Sequence, residues 1–268
     1  MGTMHALNSG AAGHSVAVDI AGGAFPLLLR LGHSSRPAPG KSNEDCYGIV
    51  TPAQEASAAT RGSAIAIADG VSGSGVGRFA SEVTVTTLLR DFYATPAQWS
   101  VPLAVDRVLR SINDWLVVAN SRHPELEGAV STLSLLLFGA GRYHLVHVGD
   151  TRVYRSRGPA FTQLTRDHTW QRRDMRHVLK RAVGLDTHLV ADYADGELRP
   201  GDRFLMVTDG VWEVLGESIL REILQGGGDP QRVADELTLR SVRSQAQYMG
   251  RNDATAILAA VEPPAAAR

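Results

Sequence analysis

Five acid-bearing dipeptides in this 268-residue chain stand where side chains could do ion chemistry. Glu44-Asp45 precede the run CYGIV, Asp69-Gly70 follow AIAIA, and Gly149-Asp150 follow HLVHV. Asp209-Gly210 follow FLMVT, and Asn252-Asp253 precede ATAIL. Short apolar runs bounded by Gly, Asp or Asn read as buried strands. Each acid therefore falls at a strand end, where the side chains of one sandwich can converge on a rim. Carboxylates gathered beside a low-dielectric core are costly unless cations neutralise them. Hard divalent ions meet that need, and Mg²⁺ or Mn²⁺ suits a site that keeps waters. A lone Asp-Gly is ordinary turn chemistry. Five such sites at consistent strand ends ask for more.

The elements that must position these acids follow from periodicity. Strands are predicted over 64–68, 133–138, 143–148, 204–207 and 254–261. Val76, Phe79, Ala80 and Val83 recur at i, i+3, i+4, i+7, the stripe of an amphipathic helix, and Val105 to Ala119 continue that logic over a longer one. Two further helices fit Ile219–Leu224 and Val233–Val242, joined by GGGDP, where Gly ends one and Asp-Pro starts the next. Strands and helices do not alternate one to one, so a doubly wound parallel sheet is disfavoured. Hairpin-linked strands with paired helices predict an α+β class: a β-sandwich covered by helices. Residues 1–24, rich in Gly, Ala and Ser, are expected to be a flexible leader, 25–262 a single catalytic domain and 263–268 a disordered tail; 51–63 reads as a loop.

Composition narrows the function classes. Lys and Arg number 27 against 28 Asp and Glu, a net charge of −1, which removes bulk attraction to nucleic acid or anionic membrane. No apolar run approaches a spanning helix. The lone Cys46 makes no internal disulfide and suits a reducing, cytoplasmic setting. Two nucleotide-loop look-alikes fail on their glycines. PGKS (39–42) has Ser35 where the first Gly belongs, and SGSGVG (72–77) has Arg78 at its last.

The chain resembles the metal-dependent serine/threonine protein phosphatases of type 2C. The matching segments are SNEDCYG (42–48), AIADGVSG (66–73), VSTLSLLLF (130–138), HVGDTRVYR (147–155), LTRDHTW (164–170), LKRAVG (179–184), PGDRFLMVTDGVWE (200–213) and NDATAIL (252–258), in the family's order. The resemblance implies two antiparallel sheets flanked by helix pairs, a four-layer αββα sandwich. It implies a binuclear Mn²⁺ or Mg²⁺ centre bridged by Asp69, with the Gly70 carbonyl and Glu44-Asp45 on one side and Asp209 with Asn252 or Asp253 on the other. Asp150 would hold a third, weaker ion. The implied activity is hydrolysis of Ser/Thr phosphate on a protein substrate by activated water, opposing a protein kinase, in a monomer.

Departures from the family pattern shape the expectations. Gly40 stands where relatives carry a phosphate-binding Arg, leaving Lys41 and Arg36 as nearby substitutes. Val71 replaces a His that serves some members as a candidate general acid. The flap between LTRDHTW and LKRAVG is short, and residues 166–181 hold six Lys and Arg against two Asp. A solvated face is the plain reading of such a run; a docking edge for phosphoprotein at Arg172, Arg173 and Arg176 is the sharper one. Aligning on Thr255 puts Asn252 in the ligand position, whereas a carboxylate's preference for hard cations favours Asp253. Gly40 and Asn252 also keep a second reading in play: a catalytically weak module that binds phosphoproteins or signalling partners without turnover.

Overall fold

Alternation along the central strands sets the layers of the computed structural model, which describes residues 3–6, 16–19, 27–51, 61–71, 75–170, 175, 177–245 and 252–263. One sheet runs β1 (Thr3–Ala6), β4 (Asp45–Thr51), β5 (Ser63–Val71), β7 (Leu133–Gly139), β8 (Arg142–Val148) and β11 (Asp192–Glu197), with the short β6 (Val130–Ser131) on β5. The other runs β10 (Ala160–Gln163), β9 (Arg152–Arg157), β12 (Arg203–Val207), β13 (Ala254–Glu262), β3 (Leu28–Arg36) and β2 (Val16–Asp19). The strand pairs are antiparallel in both sheets.

Successive strand residues face opposite sides. Ile65 and Ile67 point into the space between the sheets, where they meet Leu29, Leu31, Phe204, Met206 and Ile257. Their neighbours Ala64, Ala66 and Ala68 point outward with Cys46 and Leu135, under helices α1 (Val76–Ala94) and α2 (Val101–Arg122). On β13, Ala254, Ala256 and Leu258 face the outer pair, α3 (Asp209–Gln225) and α4 (Pro230–Gln245). Three apolar layers thus separate four layers of structure, the expected α+β sandwich. Cys46 is fully buried, and burial pushes its thiol up to about 12, so it is packing material.

Two local readings need correction, and one strand carries no sequence signal. Residues 3–6 and 16–19, inside the expected leader, are edge strands on β4 and β3, where backbone pairing supplies what the weak side-chain pattern lacks. The helix expected at Ile219–Leu224 begins ten residues earlier, at Asp209; Gly216, at φ +76°, breaks its regularity and hides the first half from a periodicity count. β11, DYADGE, is acidic and largely exposed, so no apolar alternation announces it. The turn into α4 is as expected: Asp229 Oδ1 accepts the Gln231 and Arg232 N–H groups at 3.1 Å each, a helix N-cap ahead of Pro230. Among the described residues no helix is long and apolar enough to cross a membrane.

Candidate active site

The strand register puts the acids together. Asp45 on β4 and Asp69 on β5 are direct cross-strand partners. Thr132 holds Asp69 through its main chain: the Asp69 N–H donates to Thr132 Oγ1 at 2.8 Å, and the Thr132 N–H donates to the Asp69 carbonyl at 2.9 Å. Asp209 arrives at the end of β12 as the first residue of α3. Asp150 closes the turn after β8, and Asn252-Asp253 lead into β13. Asp69, Asp150, Asp209, Asn252 and Asp253 line one cavity of about 490 Å³, with Lys41, Glu44, Gly70, Val71 and His177 also on its wall. Four strand ends from both sheets therefore meet at one rim.

The glycines beside Asp69 and Asp209 serve backbone contact. A Cβ on Gly70 would collide with the Gly77 and Glu44 carbonyls, and one on Gly210 with the Asp253 carbonyl. Each Asp-Gly pair is a place where two main chains touch.

Asp45 lies beneath the cavity, fully buried, with its Oδ2 accepting from Thr208 Oγ1 at 2.9 Å and Thr255 Oγ1 at 2.6 Å. Asn252 and Asp253 divide their work in a way their adjacency conceals. Asp253 uses both carboxylate oxygens to accept backbone N–H groups, Ala38 at 2.6 Å and Glu44 at 2.7 Å. Asn252 Nδ2 instead donates to Asp209 Oδ2 at 2.7 Å. The geometry thus puts Asn252 beside the acid of α3 and gives Asp253 a loop-fastening part, against the charge-based preference for Asp253.

Burial dominates the electrostatics. Asp45, Asp69 and Asp209 are all held well above the usual carboxylate range, first by desolvation and then by one another: Asp253 and Asp209 act on Asp45, Asp45 and Asp150 on Asp69, and Asp69 and Asp150 on Asp209. Asp150 is raised to about 6, by burial first and the Asp167 charge next.

The two sides of the Asp150 turn are pinned by groups the strand-end pattern does not reveal. Trp212 Nε1 donates to the Asp150 carbonyl at 3.0 Å, and the Gly149 N–H donates to His168 Nδ1 at 3.2 Å. Arg152 stacks 3.4 Å over the Trp212 ring and forks onto Asp167. His168 also meets Asp192 at 3.1 Å. Only the segments GDTRVYR, LTRDHTW and TDGVWE, which hold all of these residues but Asp192, could have pointed to the arrangement.

Arg36 does not join the cavity. Its Nε donates to Thr238 Oγ1 at 3.1 Å and its Nη2 lies 3.7 Å from Asp235, both on α4, because that position of β3 faces the helix. Lys41 does line it, following the turn at Gly40. Arg172, Arg173 and Arg176 lie outside the described residues.

The donor set suits hard cations. Asp209 Oδ1 is a buried oxygen with no hydrogen-bond partner among the described residues, and it belongs to a cluster whose members raise one another. Among the described residues no three His, Cys, Asp or Glu side chains close around one point as an all-protein metal cage. Mg²⁺-type ions use a few carboxylates and retain waters, so an open acidic cavity fits them.

Residues 35–248 match the family described as protein phosphatase 2C, and the chain belongs to that family. It is 29% identical over 194 residues to the serine/threonine protein phosphatase PstP of Mycobacterium tuberculosis, a match covering 66% of this chain and 37% of PstP, so it spans little more than a third of that relative's length. It is 23% identical over 212 residues to the serine/threonine phosphatase stp of Listeria monocytogenes, covering 72% of this chain and 82% of that one. The catalytic domain of PstP, solved in complex with two manganese ions, superposes with a TM-score of 0.71 at 26% identity over 88% of this chain and 99% of that domain.

Proposed function

We propose that this chain is a Mn²⁺- or Mg²⁺-dependent phosphoprotein phosphatase acting on Ser/Thr phosphate. The carrying observation is the cluster of mutually destabilising acids, Asp69, Asp150 and Asp209, brought to one cavity from three strand ends. Asp69 and Asp209 would be the principal holders of two ions, with the Gly70 carbonyl and Glu44 beside them, and Asp150 would take a weaker third. Bound ions would supply Lewis-acid stabilisation and acidify a water. Asp45 keeps the Thr208 and Thr255 hydroxyls oriented below the site. Lys41 offers phosphate a point charge without the bidentate fork of Arg, so ground-state binding of phosphate is weak. Family membership supports the reading, as does the manganese in the PstP structure.

A phosphoserine peptide incubated with Mn²⁺, with and without excess chelator, tests it. Turnover that the chelator stops is the expected result. Peptide binding without turnover at any Mn²⁺ concentration would leave the phosphoprotein-binding module as the better account.

The Asn252–Asp253 division gives a separate expectation. Asn252→Asp should tighten Mn²⁺ binding by about tenfold, because it adds a carboxylate beside Asp209. Asp253→Ala should instead cost about 2–4 kcal/mol of stability by stranding two backbone N–H groups. Calorimetric Mn²⁺ titration and urea melts read the two quantities. Tighter binding lost with Asp253, and none gained with Asn252→Asp, would restore Asp253 as the ligand.

A further inference from the structure

The cavity wall carries one imidazole, and its partner sits on the helix that Asp209 begins. His177 Nδ1 lies 3.5 Å from Glu213 Oε1, and Glu213 follows Asp209 by four residues, one turn along the same face of α3. The Glu213 charge is among the causes that raise both Asp209 and Asp150, and His177 lines the same cavity as those acids. Both side chains reach water, at 58% and 35% exposure. Val71, next to Gly70 on the same wall, has no proton to give.

Breaking a serine phosphate ester leaves a strongly basic alkoxide, which a positioned acid must protonate for the bond to part easily. Imidazole is the side chain suited to give and regain a proton near neutral pH. Resting on the phosphatase reading, we propose that His177 is the general acid for the leaving group and that Glu213 is its positioning residue.

The step balances as follows in atoms and electrons. A water oxygen forms its bond to phosphorus and gives one proton to bulk solvent, while the bond from phosphorus to the serine Oγ breaks. The electron pair of that bond stays on Oγ, which takes a proton from Nε2 of the His177 imidazolium. Glu213 holds Nδ1–H throughout, and bulk water reprotonates Nε2. A separation of 3.5 Å is long for the His177–Glu213 bond, as such contacts commonly are before substrate binds.

Leaving-group basicity separates this role from others. In the full chain with Mn²⁺, His177→Gln should lower kcat on a phosphoserine peptide by at least about 100-fold. Turnover of p-nitrophenyl phosphate, whose leaving group needs no proton, should stay close to wild type. Across a series of aryl phosphates, log kcat should fall more steeply with leaving-group pKa in the variant. Glu213→Gln keeps an acceptor for Nδ1–H and should show a smaller loss with the same substrate order. Equal losses on both substrates, or no loss on the peptide, would overturn the assignment. If the wild-type chain hydrolyses neither substrate, the phosphatase reading itself fails, a result distinct from a variant-specific one.

Discussion

Asp69→Asn and Asp209→Asn should each reduce metal-dependent phosphoester hydrolysis by at least about 10³-fold, the scale of losing an electrostatic element of a transition state. The amide keeps the shape of the carboxylate and removes its charge. Both acids are partly desolvated on the cavity wall, among other acids that push their protonation upward. In chelator, each variant should therefore unfold at the same temperature as the wild type or higher. Turnover with Mn²⁺ and thermal unfolding in EDTA read the two halves of the expectation. Turnover near the wild-type level in either variant sinks the proposed mechanism; a large loss of stability in both would mean that the carboxylates are structural.

The second large effect is in the pH dependence of the cation-free protein. Asp150 is raised from 3.8 to about 6, so the folded chain binds that proton more tightly than the unfolded chain does. Its contribution to stability is fully present below about pH 4 and is lost as pH rises through about 6, on the order of 3 kcal/mol in all. His147 has the opposite sign: burial, then the His168 charge, lowers it to about 4, so its contribution is lost as pH falls from 6.5 toward 4. The two oppose each other in the same window, and the difference between wild type and Asp150→Asn isolates the acid. That variant should gain on the wild type between pH 4 and 6 by about 3 kcal/mol, then run parallel to it. The raised Asp45, Asp69 and Asp209 should likewise lower wild-type stability in EDTA as pH rises past the usual carboxylate range, and Mn²⁺ should reverse the fall. Urea melts across this range, with and without Mn²⁺, decide it. A pH-independent difference between the two proteins would refute the Asp150 assignment.

The strand ends and their acids could be read from the chain because burial leaves a plain mark. AIAIA, HLVHV and FLMVT run into Asp69, Asp150 and Asp209, and ATAIL starts after Asn252-Asp253; those boundaries are where the rim lies. Direction of the side chain is a different kind of information. Arg36 is close to Gly40 in sequence, but the pleat of β3 turns it to Thr238 and Asp235. Asn252 and Asp253 are adjacent, and charge alone favours Asp253 as a ligand; that Asn252 is the one beside Asp209 follows from contacts some 210 positions away that engage Asp253. Glu213 on α3 and His177 meet although they are far apart in sequence, a juxtaposition no local pattern encodes.

The peptide unit at Glu44 is fastened from three directions without using its side chain. Its carbonyl accepts the Gly70 N–H at 3.2 Å and Ser81 Oγ at 2.6 Å, and its N–H donates to Asp253 at 2.7 Å. A joint made this way is indifferent to what hangs from residue 44. The wall of the cavity can therefore be rewritten by mutation while the frame holding Asp45 and Asp69 stays locked. The freedom has a counterweight: Gly70 and Gly210, where the neighbouring main chain occupies the space of a Cβ, admit no replacement. In a randomised library selected only for folding, position 44 should drift through many side chains and those two glycines should remain, which makes the rim tolerant of new specificities and brittle at two points.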